Sequence, residues 1–409
     1  RNHEVWRSGK MSNSKVIERL KKNILVDGFH IVVDTEKSHG SYIVDAETGK
    51  EYLDCYSQFA SQPLGWNHPA LLKAQAHLGK AALHKLANSD MYSEDYANFV
   101  DVFSEITPDF CHYFFIDGGA LGVENALKAS FDWKAQKLGI NSAAAVNRMD
   151  VVHFGNAFHG RTGYTMSLTN TDPVKTKKFP QFNWTTANNL DCLRQYMEEN
   201  VAAIIVEPIQ GEGGDNHFDP EVFHELRNLA DTYEAMLIFD EVQTGVGLTG
   251  TMWAYEHYGV IPDMMCFGKK TQVCGFCTTD RIDEKKFNVF TESGRINSTW
   301  GGNIVDMVRF SYIMDAINKE NLVTNAKEVG GHLLWNLRQI KGLDNTRGRG
   351  LMIAFDLESS KRRDEVISKL QDKMVVLKCG FKSIRLRPSL TFSKKDADMA
   401  SNYIQEAVV

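Results

Sequence analysis

Two adjacent lysines stand in the segment "CFGKKTQVCG", residues 266–275, where most neighbours are apolar residues or glycine. Burial lowers the pKa of an ammonium group, so a neutral and nucleophilic amine becomes accessible. Asp240 ends the apolar run "MLIF" thirty residues before Lys270, and a carboxylate that has lost water there needs a cationic partner. The segment "DGGALG", residues 117–122, predicts a helix start whose free N–H groups form a seat for phosphate.

An amine, an acid and a phosphate seat together suit the cofactor pyridoxal phosphate. Lys270 would form the Schiff base, Asp240 would hold the proton on the pyridine nitrogen, and the glycine-rich loop would take the phosphate. Each feature alone also has an ordinary structural explanation: a simple turn, a helix cap or salt bridge, and a lysine that extends to the surface. Their joint order and spacing favour the cofactor.

The elements that must position these residues are short apolar strands that alternate with helices. The segments are "CHYFFIDGG", "MDVVHFGNAFHG", "VAAIIVEPIQGEGG", "EAMLIFDEVQTGVG" and "MMCFGKK", and each ends in polar or glycine residues. This pattern predicts an α/β fold with a mostly parallel sheet covered on both faces and ligands at the strand ends. We expect a large domain over 71–314 and a smaller α+β domain formed from both chain ends, 1–70 and 315–409.

Composition excludes several classes of function. The 409 residues carry a net charge of −6 without a basic stripe, which argues against nucleic-acid binding. The longest apolar runs are too short to span a bilayer, and the first ten residues lack the apolar core of a signal peptide. Seven scattered cysteines fit a reducing compartment, so we expect a cytoplasmic protein, and the lone CxxC of Cys274 and Cys277 predicts packing rather than metal binding.

Nine motifs in one order make the sequence similar to a known family. They are "LGWNHP", "FFIDGGALGVENALK", "AFHGRT", "VEPIQGEGG", "FDEVQTG", "GKK", "NSTWGGN", "GRGL" and "IRLRPSLT". Together they resemble the class III aminotransferases, the ornithine and 4-aminobutyrate group of fold-type-I pyridoxal-phosphate enzymes. Three of the segments are most similar to those of the L-lysine 6-transaminases. The resemblance implies a fold-type-I transferase that uses pyridoxal 5'-phosphate.

The resemblance also implies roles for individual residues around the cofactor. The family's Schiff-base lysine lies about four residues before a glycine pair, and Cys274-Gly275 in that place aligns Lys270 rather than Lys269 with it. Asp240 matches the residue that pairs with the pyridine nitrogen. Lys269 receives no task from this alignment.

Five further residues match cofactor-binding positions of the family. Gln243 matches a residue near the phenolic oxygen, and Phe158 matches the aromatic residue that stacks on the ring. Gly119 and Ala120 match phosphate-binding positions, although Ala120 offers only its backbone N–H where the family usually has a polar side chain. Thr299 matches a hydroxyl that reaches the phosphate from the other subunit, so the resemblance implies a homodimer with shared active sites.

Substrate selection is predicted to rest on arginines and one glutamate. A fixed arginine for the carboxylate of 2-oxoglutarate would be left unpaired when the terminal amine of lysine binds, at a high cost. In the family a glutamate covers this arginine and swings away, and Glu212 and Arg385 stand at the matching positions, with Arg387 in reserve. Arg161 would hold the distal carboxylate of either substrate, and Asn297 would line the same pocket.

These features predict transfer of the terminal amino group of L-lysine to 2-oxoglutarate, giving 2-aminoadipate 6-semialdehyde and glutamate. The alternatives are 4-aminobutyrate or another ω-amine as donor, and a relative that binds the cofactor without turnover. A nicotinamide dehydrogenase is disfavoured because no strand is followed by GxGxxG, and a thiol hydrolase because no cysteine stands at a recognisable nucleophile turn.

Overall fold

The computed structural model describes residues 15–409 of the chain. The strands are β1 (Tyr42–Val44), β2 (Glu51–Asp54), β3 (His112–Ile116), β4 (Asp150–Phe154), β5 (Thr186–Ala187), β6 (Val201–Val206), β7 (Ile209–Gln210), β8 (Asn216–His217), β9 (Met236–Asp240), β10 (Met264–Phe267), β11 (Cys274–Thr278), β12 (Asp344–Arg349), β13 (Met352–Asp356), β14 (Met374–Val375), β15 (Leu377–Cys379) and β16 (Ser383–Leu386).

The helical segments are α1 (Lys15–Lys21), α2 (Ser57–Ala60), α3 (Pro69–Lys73), α4 (Gln75–Ala82), α5 (Glu94–Glu105), α6 (Gly119–Leu138), α7 (Ala143–Val146), α8 (Gly163–Met166), α9 (Leu190–Tyr196), α10 (Pro220–Thr232), α11 (Ile304–Lys319), α12 (Leu322–Arg338), α13 (Ser360–Leu370) and α14 (Lys394–Val408). Short 3₁₀ turns cover Pro173–Lys175, Ala254–His257, Lys269–Thr271 and Asp280–Glu284.

A seven-stranded sheet forms the centre of the molecule, in the order β3-β11-β10-β9-β6-β4-β5. The pairs from β10 to β5 are all parallel, and β11 runs antiparallel to both of its neighbours. Strands β6, β9 and β10 are buried along their whole length, as the continuous apolar runs predicted. The α/β fold with a mostly parallel sheet is therefore confirmed.

Helices cover both faces of this sheet. Helix α6 packs on one face, where Val123, Leu127 and Trp133 join the inward side chains of β6, β9 and β10 in one core cluster. Phe223 of α10 and Phe103 of α5 lie in the cluster on the opposite face. This arrangement buries both faces of the strands, so polar side chains are accessible only at the strand ends.

The two chain ends meet in a smaller sheet. Strand β2 pairs antiparallel with β1 and parallel with β14, and a second sheet has the order β12-β13-β16-β15. A small domain built from both chain ends requires such a shared sheet. The domain boundaries at 70 and 315 stay a prediction. The first fourteen residues of the expected N-terminal segment lie outside the described residues.

No helix among residues 15–409 combines the length and the apolar character needed to cross a membrane.

Candidate active site

A buried acid and a buried imidazole lie at the end of β9. The Nδ1 atom of His159 lies 2.8 Å from Oδ2 of Asp240, and Oδ1 of Asp240 accepts a hydrogen bond of 3.1 Å from the N–H of Val242. Asp240 is 6% exposed and His159 is 3% exposed. Because both carboxylate oxygens have a partner, the Asp240 side chain is held in one orientation at the strand end.

A second acid lies next to this pair. Glu207 follows β6, and its carboxylate accepts hydrogen bonds from the N–H groups of Phe158 (2.8 Å) and Gly211 (3.1 Å). Burial raises the pKa of Glu207 to about 7, with Asp240 acting in the same direction and His159 acting against it. Glu207 therefore ties the loop that carries Phe158 and His159 to the end of a neighbouring strand.

The two lysines after β10 have different surroundings. The amine of Lys270 is buried and donates to the carbonyl oxygens of Gln243 (2.8 Å) and Ala60 (3.1 Å). Burial lowers the pKa of Lys270 far below its usual range, and the neighbouring charge of Lys269 adds to this effect. The Lys270 amine thus donates to two backbone carbonyls and connects the loop after Asp240 to the N-terminal segment.

Lys269 is the lysine whose charge interacts with Asp240 and Glu207. Its pKa falls to about 8 through burial and the positive charge of Arg385, while Asp240 and Glu207 act to raise it. Its backbone has φ of 54°, a left-handed conformation that is uncommon for residues other than glycine and that clusters at functional sites. The charge interaction with Asp240 and Glu207 therefore belongs to Lys269, whereas the sequence assigned the Schiff base to Lys270, and that assignment stays a prediction.

The turn after β10 gives the two adjacent lysines their different surroundings. Gln272 also has a positive φ, of 63°, and its side-chain amide donates to the carbonyls of Ser61 (2.9 Å) and Lys269 (3.1 Å). Two left-handed residues within four positions reverse the chain between β10 and β11. In such a turn, adjacent side chains point in different directions. The number of residues between each lysine and Cys274-Gly275 therefore does not reveal which lysine enters the site.

The predicted phosphate seat is the start of helix α6. The helix begins at Gly119, its N-cap Gly118 has φ of 111°, and no side chain caps its first N–H groups. A methyl group on Gly160 would lie 2.4 Å from Cβ of Ala120, so only glycine lets the loop with Phe158 and His159 approach the helix so closely. Unsatisfied N–H groups at a helix start favour an anion. Together with the acid, the aromatic ring and the low-pKa amine, they fit pyridoxal phosphate.

Charged side chains lie close together at the substrate end of the site, which is defined by Arg385, Glu212 and Lys175. Arg385 lies on β16 with 5% exposure, and its Nε atom has no hydrogen-bond partner among residues 15–409. The expected contact between Glu212 and Arg385 is not formed. The Glu212 carboxylate instead pairs with the ammonium group of Lys175, and it accepts a hydrogen bond of 3.4 Å from the hydroxyl of Thr171.

Arg387, the reserve candidate for binding the substrate carboxylate, forms contacts with other side chains of the protein. Its guanidinium forms a bidentate pair with Asp215, and both residues are at most 1% exposed. Its Nε donates to Oε1 of Gln243 at 3.0 Å, so the predicted cofactor ligand Gln243 is held by Arg387. A fully buried and fully paired guanidinium supports the fold, so Arg385, whose Nε has no partner among residues 15–409, stays the first candidate for the substrate carboxylate.

Three predicted site residues are exposed. Arg161 and Thr299 are exposed, and Asn297 is exposed with its Oδ1 accepting from the N–H of Ser298 at 2.7 Å. The loop around Thr299 is anchored through its carbonyl, which accepts from the hydroxyl of Ser89 at 3.2 Å. Their roles in substrate binding and in a partner's phosphate site stay predictions.

The sequence assigned no role to four residues that the structure places near the predicted site residues: His159, Glu207, Lys175 and Lys269. His159 and Glu207 stood inside quoted motifs beside assigned residues, and polar residues that follow apolar strands were the available signal. Lys175 lies in the segment "TDPVKTKKF", where several lysines stand among polar residues and nothing marks one as buried.

The fold and the acid–lysine pocket define a pyridoxal-phosphate-dependent transferase. The family model of the class-III aminotransferases matches residues 25–408, and the chain belongs to this family, whose members use pyridoxal phosphate. It is therefore an aminotransferase.

Named relatives extend over nearly the whole chain. The sequence is 43% identical to an L-lysine-epsilon aminotransferase of Amycolatopsis lactamdurans over 94% of this chain and 93% of that protein. It is 41% identical to one from Streptomyces clavuligerus, over 98% and 95%. The solved lysine aminotransferase of Mycobacterium tuberculosis in its internal aldimine form superposes with a TM-score of 0.92 at 44% identity, over 96% of this chain and 98% of that chain.

Proposed function

We propose that this aminotransferase moves the terminal amino group of L-lysine to 2-oxoglutarate, giving 2-aminoadipate 6-semialdehyde and glutamate. The relatives of 41–45% identity that carry the name L-lysine-epsilon aminotransferase support the donor. The charges at the substrate end support the acceptor, because a dicarboxylate supplies a partner for the Nε of Arg385, which has none among residues 15–409.

One observation carries the proposal: within the described part of the chain, the Nε of the buried Arg385 has no hydrogen-bond partner, while Glu212 pairs with Lys175. A buried guanidinium without a partner is costly, so it favours a substrate that brings a carboxylate next to the reacting carbon. When the terminal amine of lysine occupies that place, Glu212 is the acid within the site that would neutralise Arg385. The two substrates thus require two positions of one side chain.

We further propose that Lys269, in place of Lys270, bonds the cofactor and carries the proton between reacting atoms. The lowered pKa of about 8 supports this role, because a proton carrier works best when its pKa is near the working pH. Pyridoxal phosphate, when bound, supplies an electron-accepting ring for this proton transfer. Asp240, oriented by His159, would hold the proton on the pyridine nitrogen, and Phe158 would cover the ring.

A homodimer and a cytoplasmic location complete the proposal. The loop with Asn297 and Thr299 is exposed, and large apolar side chains of the neighbouring segment are exposed as well: Leu83 (73%), Met91 (68%) and Tyr92 (80%). Such a surface suits a partner subunit. All seven cysteines are free, which fits a reducing compartment. Light scattering during gel filtration tests the dimer.

The substrate is tested by adding single amines, without an acceptor, to the purified protein with bound cofactor. We expect L-lysine to bleach the absorbance of the bound cofactor, and subsequent 2-oxoglutarate to restore it with release of glutamate. If 4-aminobutyrate bleaches the absorbance and lysine does not, the donor is an ω-amine of the 4-aminobutyrate type. If no amine has an effect, the chain binds the cofactor without turnover.

A further inference from the structure

Lys175 lies at the mouth of the site and contacts three groups there. Its ammonium group pairs with the carboxylate of Glu212 and donates to the hydroxyl of Thr171 at 3.1 Å. It also lies 5.4 Å from the centre of the Phe158 ring. The Lys175 side chain is 20% exposed and that of Glu212 is 25% exposed. Lys175 is therefore inside the substrate end rather than on the outer surface.

Three further cations lie near Lys175 and its ion pair with Glu212. Burial lowers the pKa of Lys175 to about 8, and the positive charges of Arg161, Arg385 and Lys378 act in the same direction, while Asp172 opposes them. Lys175 and these cations come from three different parts of the chain: the loop after β4, the 3₁₀ turn of Lys175, and strands β15 and β16. The one carboxylate of Glu212 cannot pair with Lys175 and with Arg385 in the same way at once.

The competition has a direct consequence for the reaction. With Glu212 on Lys175, the Arg385 guanidinium is left open for the carboxylate of an incoming keto acid. With Glu212 on Arg385, that carboxylate has no partner, and a donor amine without an adjacent carboxylate is favoured. A side chain that stabilises one arrangement shifts the balance by its differential interaction with the two states.

We propose that Lys175 is a positioning residue that competes with Arg385 for Glu212 and so keeps the acceptor's carboxylate site open. The inference rests on the proposed function, because it concerns the same two half-reactions. It predicts a specificity effect that is confined to the keto-acid acceptor. Lys175 would therefore set how well one site serves two chemically different substrates.

The test measures the two half-reactions separately in Lys175→Met, which keeps the length of the side chain and removes its charge. Loss of a partly buried ion pair should raise the KM for 2-oxoglutarate about three- to tenfold in the pyridoxamine-phosphate form, because 1.4 kcal/mol corresponds to a factor of ten. The KM for lysine should stay within about twofold. Lys175→Arg should restore the acceptor KM, and Lys177→Met, an exposed neighbour on the same segment, should leave both constants unchanged.

A double variant separates competition for Glu212 from direct contact with the acceptor. In a Glu212→Gln background, Lys175→Met should change the acceptor KM by less than about twofold, because its partner is already neutral. A full effect in that background would mean that Lys175 binds the acceptor itself, and the inference would be wrong. It would also be wrong if Lys175→Met changed both half-reactions equally or left the acceptor KM unchanged.

Failure of the proposed function gives a different result. If lysine fails as donor but the pyridoxamine-phosphate form of the wild-type protein reacts with 2-oxoglutarate, only the donor is wrong and the acceptor test stands. If the wild-type form does not react with 2-oxoglutarate, the acceptor of the proposed function is wrong and the inference about Lys175 falls with it.

Discussion

The two ends of the site differ in how completely their charges are paired. At the cofactor end, Asp240 has His159 and a backbone N–H as partners, and Glu207 accepts two backbone N–H groups. At the substrate end, Lys175 pairs with Glu212 but lies near three further cations, and the Nε of the buried Arg385 has no hydrogen-bond partner among residues 15–409. Fixed partners hold the side chains at the cofactor end in one geometry. At the substrate end, an excess of cations over carboxylates leaves binding positions for the carboxylates of the substrates.

This contrast matches the different demands on the two ends. A cofactor stays in place through both half-reactions, so its ligands gain from being locked. In the proposed reaction, the substrate end binds an amine without an adjacent carboxylate and then an acid with one, so it needs a group with two positions. The comparison predicts that changes at the cofactor end reduce the rate for every substrate, and that changes at the substrate end separate donor from acceptor.

The largest expected effect is at Lys269. Lys269→Met should lower kcat by about 10³-fold or more, since it removes the proposed nucleophile and proton carrier together. Lys270→Met should retain measurable turnover but lose stability, by roughly 1–3 kcal/mol for each carbonyl left without a donor. Steady-state assays and thermal unfolding distinguish the two. An inactive, folded Lys270→Met beside an active Lys269→Met would return the role to Lys270.

Asp240→Asn should lower kcat on the order of 10²–10³-fold for all donors and acceptors, because it removes a preorganised charge from the cofactor end. The matched control is Asp263→Asn. Asp263 is also 6% exposed, but it pairs with Arg227 (2.9 Å) and Arg281 (3.0 Å) away from the lysines. This control should lower the melting temperature and leave kcat unchanged. Equal kinetic effects of both changes would count against a special role of Asp240.

Arg385→Lys should separate the two substrates. A lysine cannot form the bidentate contact, and the loss of about 2 kcal/mol or more would raise the KM for 2-oxoglutarate about 30-fold, with a small effect on lysine as donor. Arg387→Lys is the comparison, because it breaks the buried pair with Asp215 and should destabilise the fold by about 3–5 kcal/mol. Separate half-reaction assays and denaturant unfolding measure both. If Arg385→Lys weakens lysine as strongly as 2-oxoglutarate, the contrast between the ends does not hold.

The smallest expected effect is a pH dependence of cofactor attachment to the apoprotein. With a pKa of about 8, the Lys269 amine is charged below this pH and neutral above it. Since only the neutral amine attacks, the attachment rate should rise about tenfold from pH 7 to pH 9 and then level off. Rapid-mixing absorbance records this profile. An ordinary lysine, with a pKa near 10.5, would give about a hundredfold rise without a plateau over this range.

Much of the fold could be predicted because its pattern is local. Apolar runs such as "VAAIIV" and "MLIF" mark buried parallel strands, and Gly139 marks the end of α6, where it takes a left-handed C-cap with φ of 64°. Asp240 was found for the same reason, since a polar residue at the end of a buried strand is visible in the sequence. Strand β11, which runs antiparallel within the sheet, was not predicted.

The missed features depend on tertiary contacts. The direction of Lys269 and Lys270 follows from the left-handed turn, and the burial of Arg387 follows from Asp215, which is 172 positions away in the chain. Lys175 becomes significant only because β15 and β16 bring Lys378 and Arg385 close to it. Residue spacing along one segment contains none of this information.

The most direct test identifies the lysine that carries the cofactor. Borohydride reduction of the protein with bound pyridoxal phosphate fixes the cofactor to its lysine, and fragmentation mass spectrometry of the peptide around "GKKTQVCG" locates the added mass. We expect the label on Lys269, with Lys270 unmodified. A label on Lys270 would contradict this account of the site and restore the choice made from sequence spacing.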